Sequence, residues 1–367
     1  MKTILIAHNY NENSFAVISY SLAHYLADLG NRVVFISYRP FFSEKKQIKK
    51  DKGELIIYSW PSEKRPTSIK DAIWFAKLYF MYKPNMVVGH FVGANITIGI
   101  SKLLSFTKVK TFAYYHTLME QINLDNQNTS TFKRKILFLR KKMFYKFFCD
   151  VIVCPSELAL KDFEKNYNSK NGLVILNPMK DRFLSKEAIK SDKIIISFLG
   201  RLAVSKGIIE LIQAFIIYKN HNKKSRMILN IAGSGNCELE INKLIINQPD
   251  IFYIGALQYN EVDEYLKNTH FTIIPSKVDA LNMVGIESLM NKTPLLISNT
   301  TGLSHYLKDG EECFKFDATV ESITLLLKRV EDNFGNQQQM ALNARETFSE
   351  IFTMEKYCLN FSKEILK

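Results

Sequence analysis

Short apolar runs alternate with longer amphipathic segments along almost the whole chain. Residues 2–7 form an apolar run, residues 14–29 carry apolar side chains at helical spacing, and residues 32–37 are apolar again. This order predicts a strand, a helix and a second strand. Alternation of this kind is typical of a parallel, doubly wound sheet, in which ligands bind beyond the carboxyl ends of the strands. The same pattern predicts further strands in the first half: 55–58, 86–89, 110–115, 150–154 and 173–176.

A second alternating series follows a polar interval. Proline and polar residues interrupt the pattern at 175–183, and residues 185–193 are charged and poor in apolar side chains. A chain of 367 residues is long enough for two domains, so we expect a boundary near residue 185. The later pattern predicts the following elements: strands at 194–199, 227–232, 251–254, 271–275 and 295–298, and helices at 207–218, 238–247, 261–267, near 304, at 320–330 and onward to 367.

The stretch from 272 to 297 carries the most suggestive polar residues. A β-branched run ends at Pro275, a polar loop follows, and apolar residues then recur at helical spacing. Asp279 lies in the loop, Glu287 lies off the apolar face of the helix, and Asn282 is placed to cap the helix. The free N–H groups of the first turn would then bind an anion or sugar hydroxyls. An ordinary strand-to-helix connection with two solvated acids fits the stretch equally well.

Composition narrows the class of protein. The five cysteines are scattered and form no Cys-x-x-Cys pair, which argues against disulfides and favours a reducing compartment. The apolar run after Met1 is too short for a signal peptide, and no apolar stretch of membrane-spanning length follows. We therefore expect a cytoplasmic globular protein. The loop from His8 to Ser14 contains no glycine, so we expect neither NAD nor FAD in the first half.

The net charge of +13 is concentrated in the first half. Residues 1–200 carry 31 Lys and Arg against 16 Asp and Glu, whereas residues 201–367 carry 18 against 20. Much of the excess lies in residues 132–148, where cations and bulky apolar residues interleave at helical intervals. This pattern is typical of a helix on an anionic membrane surface, but a helix that buries its Leu/Phe stripe fits equally well. No nucleic-acid-binding signature accompanies the charge, so we expect no nucleic-acid partner.

Three histidines follow predicted strands of the first half. His8, His90 and His116 would all lie at the carboxyl edge of the sheet. Because a lone histidine is more often structural than functional, His8 and His90 carry little weight. His116 closes a clearly apolar strand and is the better candidate.

Two loops of the second half could approach a phosphate. Gly200 ends a strand, Arg201 follows it, and Lys206 lies at the start of the next helix. A pair of cations beside a helix N-terminus can hold a diphosphate. The turn at 231–235 also contains two glycines, which permit a close backbone approach. Each loop, taken alone, is equally explained as a solvated turn.

The order of these motifs is more specific than any one of them. Several short elements follow one another: Gly-Arg and Lys-Gly at 200–207, Ala-Gly-Ser-Gly at 232–235, Tyr-Ile-Gly at 253–255, Pro-Ser before Asp279 and Glu287, Thr-Pro-Leu-Leu-Ile at 293–297 and Thr-Gly at 301–302. In this order the chain resembles the retaining glycosyltransferases of family 4, also called group 1, over essentially its whole length. The resemblance implies the α/β GT-B fold of two facing, doubly wound Rossmann-like domains. It also implies the domain bounds: an acceptor-side domain over 1–185, to which a helix at about 353–367 returns, and a donor-binding domain over 186–352.

The resemblance also implies which residues form the site. Arg201 and Lys206 would grip the diphosphate of a donor and stabilise the leaving group without a metal ion. Asp279 would contact the transferred sugar, Glu287 the ribose, and His116 the reacting sugar from the first domain. The other donor contacts that the resemblance implies are Gly200, Gly233, Tyr253, Ala280, Leu281, Asn282 and Met283.

The implied reaction transfers a sugar from a nucleoside diphosphate sugar to a hydroxyl group, with no cofactor. The acceptor would be a glycan or a lipid-linked glycan of cell-surface polysaccharide or glycolipid assembly, and the basic helix could hold the protein at the inner face of the membrane. Two alternatives stay open: a nucleotide-sugar epimerase of GT-B fold, and a non-catalytic protein that binds sugar nucleotides or glycans. Asp279 stands where the family usually carries Glu, so its shorter side chain predicts an altered donor preference or weaker activity.

Overall fold

The computed structural model describes residues 1–8, 17–37, 45–62, 66–90, 94–125 and 130–367. The glycine-free loop after His8 and the predicted start of the first helix lie largely outside these residues. Within the described ranges, no helix is long and apolar enough to cross a membrane.

The first half forms one sheet with helices on both faces. Its strands are β1 (Thr3–Ala7), β2 (Arg32–Ser37), β3 (Lys46–Lys49), β4 (Glu54–Ser59), β5 (Met86–Gly89), β6 (Lys110–Tyr114), β7 (Val151–Cys154) and β8 (Gly172–Val174), and its helices are α1 (Val17–Asp28), α2 (Ile69–Tyr82), α3 (Asn95–Leu104), α4 (Met119–Asp125), α5 (Thr131–Phe148) and α6 (Glu157–Tyr167). The strand order is β3-β4-β2-β1-β5-β6-β7-β8, and the pairs are parallel except for β3 with β4. The pattern did not predict β3, because this edge strand has a single apolar residue, Ile48.

The second half forms a smaller parallel sheet. Its strands are β9 (Ile194–Leu199), β10 (Met227–Ala232), β11 (Ile251–Gly255), β12 (Phe271–Ile274), β13 (Leu295–Ser298) and β14 (Cys313–Phe316), and its helices are α7 (Ile208–His221), α8 (Glu238–Leu244), α9 (Tyr259–Lys267), α10 (Met283–Met290), α11 (Val320–Asp332), α12 (Gln337–Ile351) and α13 (Met354–Ile365). The strand order is β11-β10-β9-β12-β13-β14, with parallel pairing throughout. The chain order reverses between β9 and β12, as it does between β1 and β5 in the first sheet. Such reversals leave a crevice at the carboxyl ends of the two strands.

The last helix leaves the second half and packs on the first sheet. Tyr357, Phe361 and Ile365 of α13 are buried in the same apolar cluster as α1 and the strands β1 and β2. The hydroxyl groups of Tyr357 and Tyr114 lie 2.6 Å apart and share a hydrogen bond. The expected return of the final helix is therefore confirmed, while the bounds chosen for the two domains stay a prediction.

We expect Phe361→Ala to lower the free energy of unfolding by about 3–5 kcal/mol, because it empties a fully buried site beside Phe112. Urea denaturation followed by tryptophan fluorescence measures this effect on the first domain, since both tryptophans, Trp60 and Trp74, lie there. Leu359→Ala on the same helix is the control, because that side chain is 40% exposed. Equal, small losses in both variants would show that α13 contributes little to the first domain.

Candidate functional site

A cleft of about 340 Å³ opens between the two sheets at the reversal point of the second sheet. The loops after β9 and β12 form most of its wall, and His116 and Pro155 close it from the first domain. The cleft brings together most of the residues implied by the resemblance: His116, Gly200, Arg201, Lys206, Asp279, Ala280, Leu281, Asn282 and Met283. Gly233, Tyr253 and Glu287 are not among its described lining residues.

Two glycines let the loops around the cleft approach closely. A Cβ atom at Gly207, where φ is +65°, would lie 2.0 Å from the carbonyl oxygen of Pro275. A Cβ atom at Gly233, where φ is +137°, would lie 1.8 Å from the carbonyl oxygen of Gly200. Glycine is therefore required at both positions, for the space as well as for the backbone conformation. Glycine at these positions lets the loops after β9, β10 and β12 pack closely, and Tyr253 supports this packing by donating to the Gly233 carbonyl at 3.1 Å.

Lys206 and Asp279 form an ion pair inside the cleft. The Lys206 ammonium donates to the Asp279 carboxylate, and the side chains are only 16% and 10% exposed. Asn282 Nδ2 donates to the same carboxylate oxygen at 2.9 Å. The predicted cation of the diphosphate and the predicted acid of the sugar are thus direct neighbours. Both side chains line the same cleft.

Asn282 caps helix α10, as the sequence predicts. Its side-chain oxygen accepts from the Gly285 N–H at 2.8 Å, and its φ of +78° turns the chain from the loop into the helix. The amino end of α10 therefore faces the cleft beside Asp279. Free amides at this end and the helix dipole both favour an anionic ligand.

Arg201 crosses the cleft to the first domain. Its guanidinium pairs with the carboxylate of Asp125 at the end of α4, and the same carboxylate accepts from the Ser205 N–H at 3.2 Å. Asp125 was not predicted, since it is one acid in a polar segment and its partner lies 76 residues away. The contact places the first domain directly against the loop after β9.

Glu287 lies off the apolar face of its helix, as the sequence predicts, but it is buried rather than solvated. The Glu287 side chain contacts Arg182, whose Nη2 lies 3.4 Å from Glu287 Oε1. Arg182 also makes a bidentate pair with Asp263 at 2.8 and 2.9 Å and donates to Tyr259 Oη at 2.6 Å. Helix α10 therefore packs against polar residues on the side that the periodicity marks as solvent-facing.

Burial raises the pKa of Glu287 to about 7; Arg182 opposes this shift and Asp263 adds to it. Arg182 was missed because it lies in the interval between the two strand–helix series, at Asp181-Arg182-Phe183. An arginine next to a phenylalanine in an otherwise exposed linker is the weak signal that could have found it.

Three histidines stack at the reversal point of the first sheet. The His8 and His90 rings are 4.2 Å apart, Tyr114 stacks on His90 at 3.8 Å, and His90 Nε2 lies 2.8 Å from His116 Nε2. Ser19 Oγ lies 2.8 Å from the other ring nitrogen of His90. His8 and His90 thus have a structural role, in keeping with the low weight given to them as functional residues: they support the His116 ring, which reaches the cleft. Parallel strands bring together residues that are far apart in sequence.

These histidines are held neutral. Burial lowers the pKa of His8 to about 3, with a contribution from His116, and lowers the pKa of His116 to about 3, with a contribution from Lys141. The pKa of His90 also lies well below its usual value, chiefly through burial. A neutral His116 offers the cleft a hydrogen-bonding imidazole rather than a positive charge.

Two Rossmann-like domains that face each other across a cleft, joined by a final helix that crosses back, define the GT-B class of glycosyltransferases. Residues 179–347 match the family model described as glycosyl transferases group 1, and residues 16–179 match the model described as glycosyltransferase family 4. The two models together extend from residue 16 to residue 347. The chain therefore belongs to the group 1 glycosyltransferases of GT-B fold.

Several known proteins are similar to this chain. The capsular polysaccharide biosynthesis glycosyltransferase CapM of Staphylococcus aureus is 23% identical over 246 residues, which cover 56% of this chain and 63% of that protein. The alpha-monoglucosyldiacylglycerol synthase of Acholeplasma laidlawii is 24% identical over 179 residues, covering 48% of this chain and 42% of that protein. Each match thus spans less than two thirds of the relative. HepE of Anabaena, solved in complex with UDP and glucose, has a TM-score of 0.72 at 11% identity, with both chains fully covered.

We expect stability to fall on acidification because of the buried histidines. The unfolded chain protonates each histidine below about pH 6.5, whereas the folded chain keeps His8 neutral to about pH 3. The folded state then binds fewer protons, so its stability decreases as pH falls from 6.5 towards 3. At pH 5 one such histidine costs about 2 kcal/mol relative to neutral pH. The check is urea denaturation at pH 7 and pH 5.

His8→Phe keeps a ring against His90 but removes the titrating group. Its loss of stability between pH 7 and pH 5 should therefore be smaller than that of the wild type by about 2 kcal/mol, whatever its stability at pH 7. His221→Gln, at an exposed position, should lose as much as the wild type. An unchanged loss in His8→Phe would contradict a neutral, buried His8.

Proposed function

We propose that the protein transfers a sugar from a nucleoside diphosphate sugar to a hydroxyl acceptor. The observation that carries this proposal is the composition of one cleft, where Arg201, Lys206 and the amino end of α10 meet His116 of the opposite domain. The names of the similar proteins support cell-surface polysaccharide or glycolipid assembly as the setting. The UDP and glucose bound to HepE support a nucleoside diphosphate sugar as the co-substrate.

The two cations of the cleft would stabilise the leaving group. When the bond between sugar and diphosphate breaks, negative charge develops on the leaving oxygen, and fixed positive charges aimed at it lower the barrier. Lys206 and Arg201 now pair with Asp279 and Asp125, so a diphosphate would take over part of these contacts. These cations supply the charge that a metal ion supplies elsewhere, and we propose a metal-independent reaction on this basis.

The polar residues around the cations would orient the donor. Asp279, held between Lys206 and Asn282, has a fixed carboxylate that can accept hydrogen bonds from sugar hydroxyls. Glu287 lies one helical turn beyond the cleft wall, where it would bind the ribose hydroxyls. His116, neutral and fixed by His90, would contact the reacting sugar from the acceptor side. Retention of the anomeric configuration is proposed from family membership, and NMR of the product tests it.

Thermal-shift screening with UDP-, GDP-, ADP- and dTDP-sugars tests the proposal, since a ligand that binds only the folded state raises its stability. Incubation of the best donor with and without an acceptor panel then distinguishes the alternatives. A transferase gives product only with acceptor, apart from slow hydrolysis, whereas an epimerase converts the donor alone to its isomer. Donor binding without any product would indicate the non-catalytic protein. No shift with any nucleotide sugar would overturn the proposal.

We expect Lys206→Ala to lower kcat by roughly 10²–10³, the usual loss for one preorganised charge in the transition state. The variant should also melt at a lower temperature, because it leaves the nearly buried Asp279 carboxylate without its cation. Activity is therefore compared at a temperature where circular dichroism shows both proteins folded. Lys277→Ala is the matched control, because Lys277 lies in the loop after β12 but pairs with Glu210. Equal kcat values for Lys206→Ala and the wild type would contradict the diphosphate assignment.

We expect donor affinity to increase with pH through about pH 7. Glu287 accepts two hydrogen bonds from ribose only as a carboxylate, and its pKa of about 7 means that ionisation increases between pH 6 and pH 8. The carboxylate fraction rises by roughly tenfold over this range, and affinity should follow it. Isothermal titration calorimetry with the donor identified by the thermal-shift screen measures the change in affinity. The donor itself does not complicate the measurement, because a nucleoside diphosphate sugar does not titrate between pH 6 and pH 8.

Glu287→Gln should bind the donor more weakly and without this pH dependence. Glu264→Gln, on the exposed side of α9, should behave as the wild type. A wild-type affinity that is flat from pH 6 to pH 8 would place the ribose away from Glu287.

A further inference from the structure

Helix α5 is apolar on both of its faces. Its inner face packs into the first domain through Phe138, Phe144, Tyr145 and Phe148. The Lys141 side chain also turns inward, where it lies over the rings of three tyrosines, at 5.1 Å from Tyr115. The fold of the first domain therefore uses only this inner face.

The outer face of α5 exposes a continuous apolar stripe. Its members are between 48% and 73% exposed: Phe132, Ile136, Leu139, Met143 and Phe147. At 100° per residue, these positions fall within an arc of about 80°. A water-facing helix surface normally carries polar residues in such an arc, so this stripe needs a partner.

Cations border the stripe on both sides. At 100° per residue, Lys133 and Arg140 lie along one edge, and Lys135 and Lys146 lie along the other. The helix contains no acidic residue from Thr131 to Phe148. An apolar stripe between two rows of cations matches the interface of a bilayer that contains anionic lipids, where apolar side chains enter the acyl boundary and cations meet the head groups.

The neighbouring helix α2 extends the same surface. Ile69, Ile73 and Phe80 are each more than half exposed and fall within an arc of about 40°. Helix α3 lies between α2 and α5, and all three cover the same face of the sheet. A mainly apolar groove of about 870 Å³ lies between α3 and α5, and Pro66 and Thr67, just before α2, border it.

We infer that this outer surface of α2, α3 and α5 docks on an anionic lipid bilayer. Both α5 and α2 run directly into the amino ends of strands, at Val151 and Met86, so their own amino ends lie at the opposite edge of the sheet. This is the edge at which the cleft opens. Docking would therefore place the mouth of the cleft beside the membrane, where a lipid-linked acceptor presents its hydroxyl. The inference extends the proposed function by naming where the acceptor is met.

Sedimentation with vesicles tests the docking surface. The wild-type protein should sediment with phosphatidylcholine vesicles that contain phosphatidylglycerol, but not with phosphatidylcholine alone, and high salt should weaken the binding. The assay contains no nucleotide sugar, so its failure is independent of a failure of the transferase proposal. Absence of binding to anionic vesicles at low salt, or equal binding to both kinds of vesicle, would overturn the inference.

Surface variants locate the contact. Replacing Lys133, Lys135 and Lys146 together by Gln should lower the partition coefficient by about 100-fold, at about fivefold per cation. Ile136→Gln with Leu139→Gln, and Ile69→Gln with Ile73→Gln, should each lower it by about tenfold or more. Lys141 is left unchanged because its side chain is part of the domain core.

Matched controls lie in the second domain. Lys223→Gln with Lys224→Gln removes exposed cations, and Leu239→Gln removes an exposed apolar side chain, so both should bind as the wild type. Vesicle binding that survives in the α5 and α2 variants would overturn the inference. So would a wild-type dimer in solution that the double variant of Ile136 and Leu139 converts to a monomer, because the surface would then join two copies of the chain.

Discussion

The loop at Asp279 and Ala280 is held from both domains at once, and the shape of the cleft depends on this. Ser156 of the first domain donates to the Ala280 carbonyl, and Gly302 N–H donates to the Asp279 carbonyl at 2.9 Å. A Cβ atom at Gly302 would lie 2.0 Å from the Ala280 carbonyl oxygen, so only glycine lets the segment at 302 approach. A movement that separates the two domains must break the Ser156 contact, which lies one residue from Asp279.

The two cations that line the cleft are each paired with a carboxylate. Lys206 pairs with Asp279 and Arg201 with Asp125, while Arg182, which does not line the cleft, pairs with Asp263 and lies 3.4 Å from Glu287. Each carboxylate fixes the orientation of its cation, which in the proposed reaction would lower the reorganisation needed when negative charge develops on a leaving group. The pairing with Asp279 also limits the cost of holding the largely buried Lys206 away from water. Asp279 stands where the family usually carries glutamate. Its shorter side chain ends directly against the ammonium group of Lys206.

The strand–helix alternation predicted most of the fold because buried parallel strands produce apolar runs that are visible in the sequence. It failed at β3, where an edge strand has only Ile48 to bury. The cleft residues were found from the order of short motifs, and the cap at Asn282 from local capping chemistry. Asp125, Arg182 and the support of His116 by His90 were not foreseen, because each depends on a contact between segments far apart in the chain. The two faces of α5 were indistinguishable for a related reason: both are apolar, and only packing shows which one is buried.

The uneven distribution of charge between the two halves of the chain fits the proposed docking of the first domain on a membrane. The cations in excess belong to the half of the chain that carries α2 and α5, whereas residues 201–367 have 18 Lys and Arg against 20 Asp and Glu. With the first domain on an anionic surface, the donor-binding loops would lie on the domain that has no net attraction for that surface. A nucleoside diphosphate is itself anionic and is repelled by such a surface within about one Debye length, roughly 8 Å at physiological salt. Separating the proposed lipid contact and diphosphate binding onto two domains would allow one protein to use a membrane-bound acceptor and a soluble anionic donor.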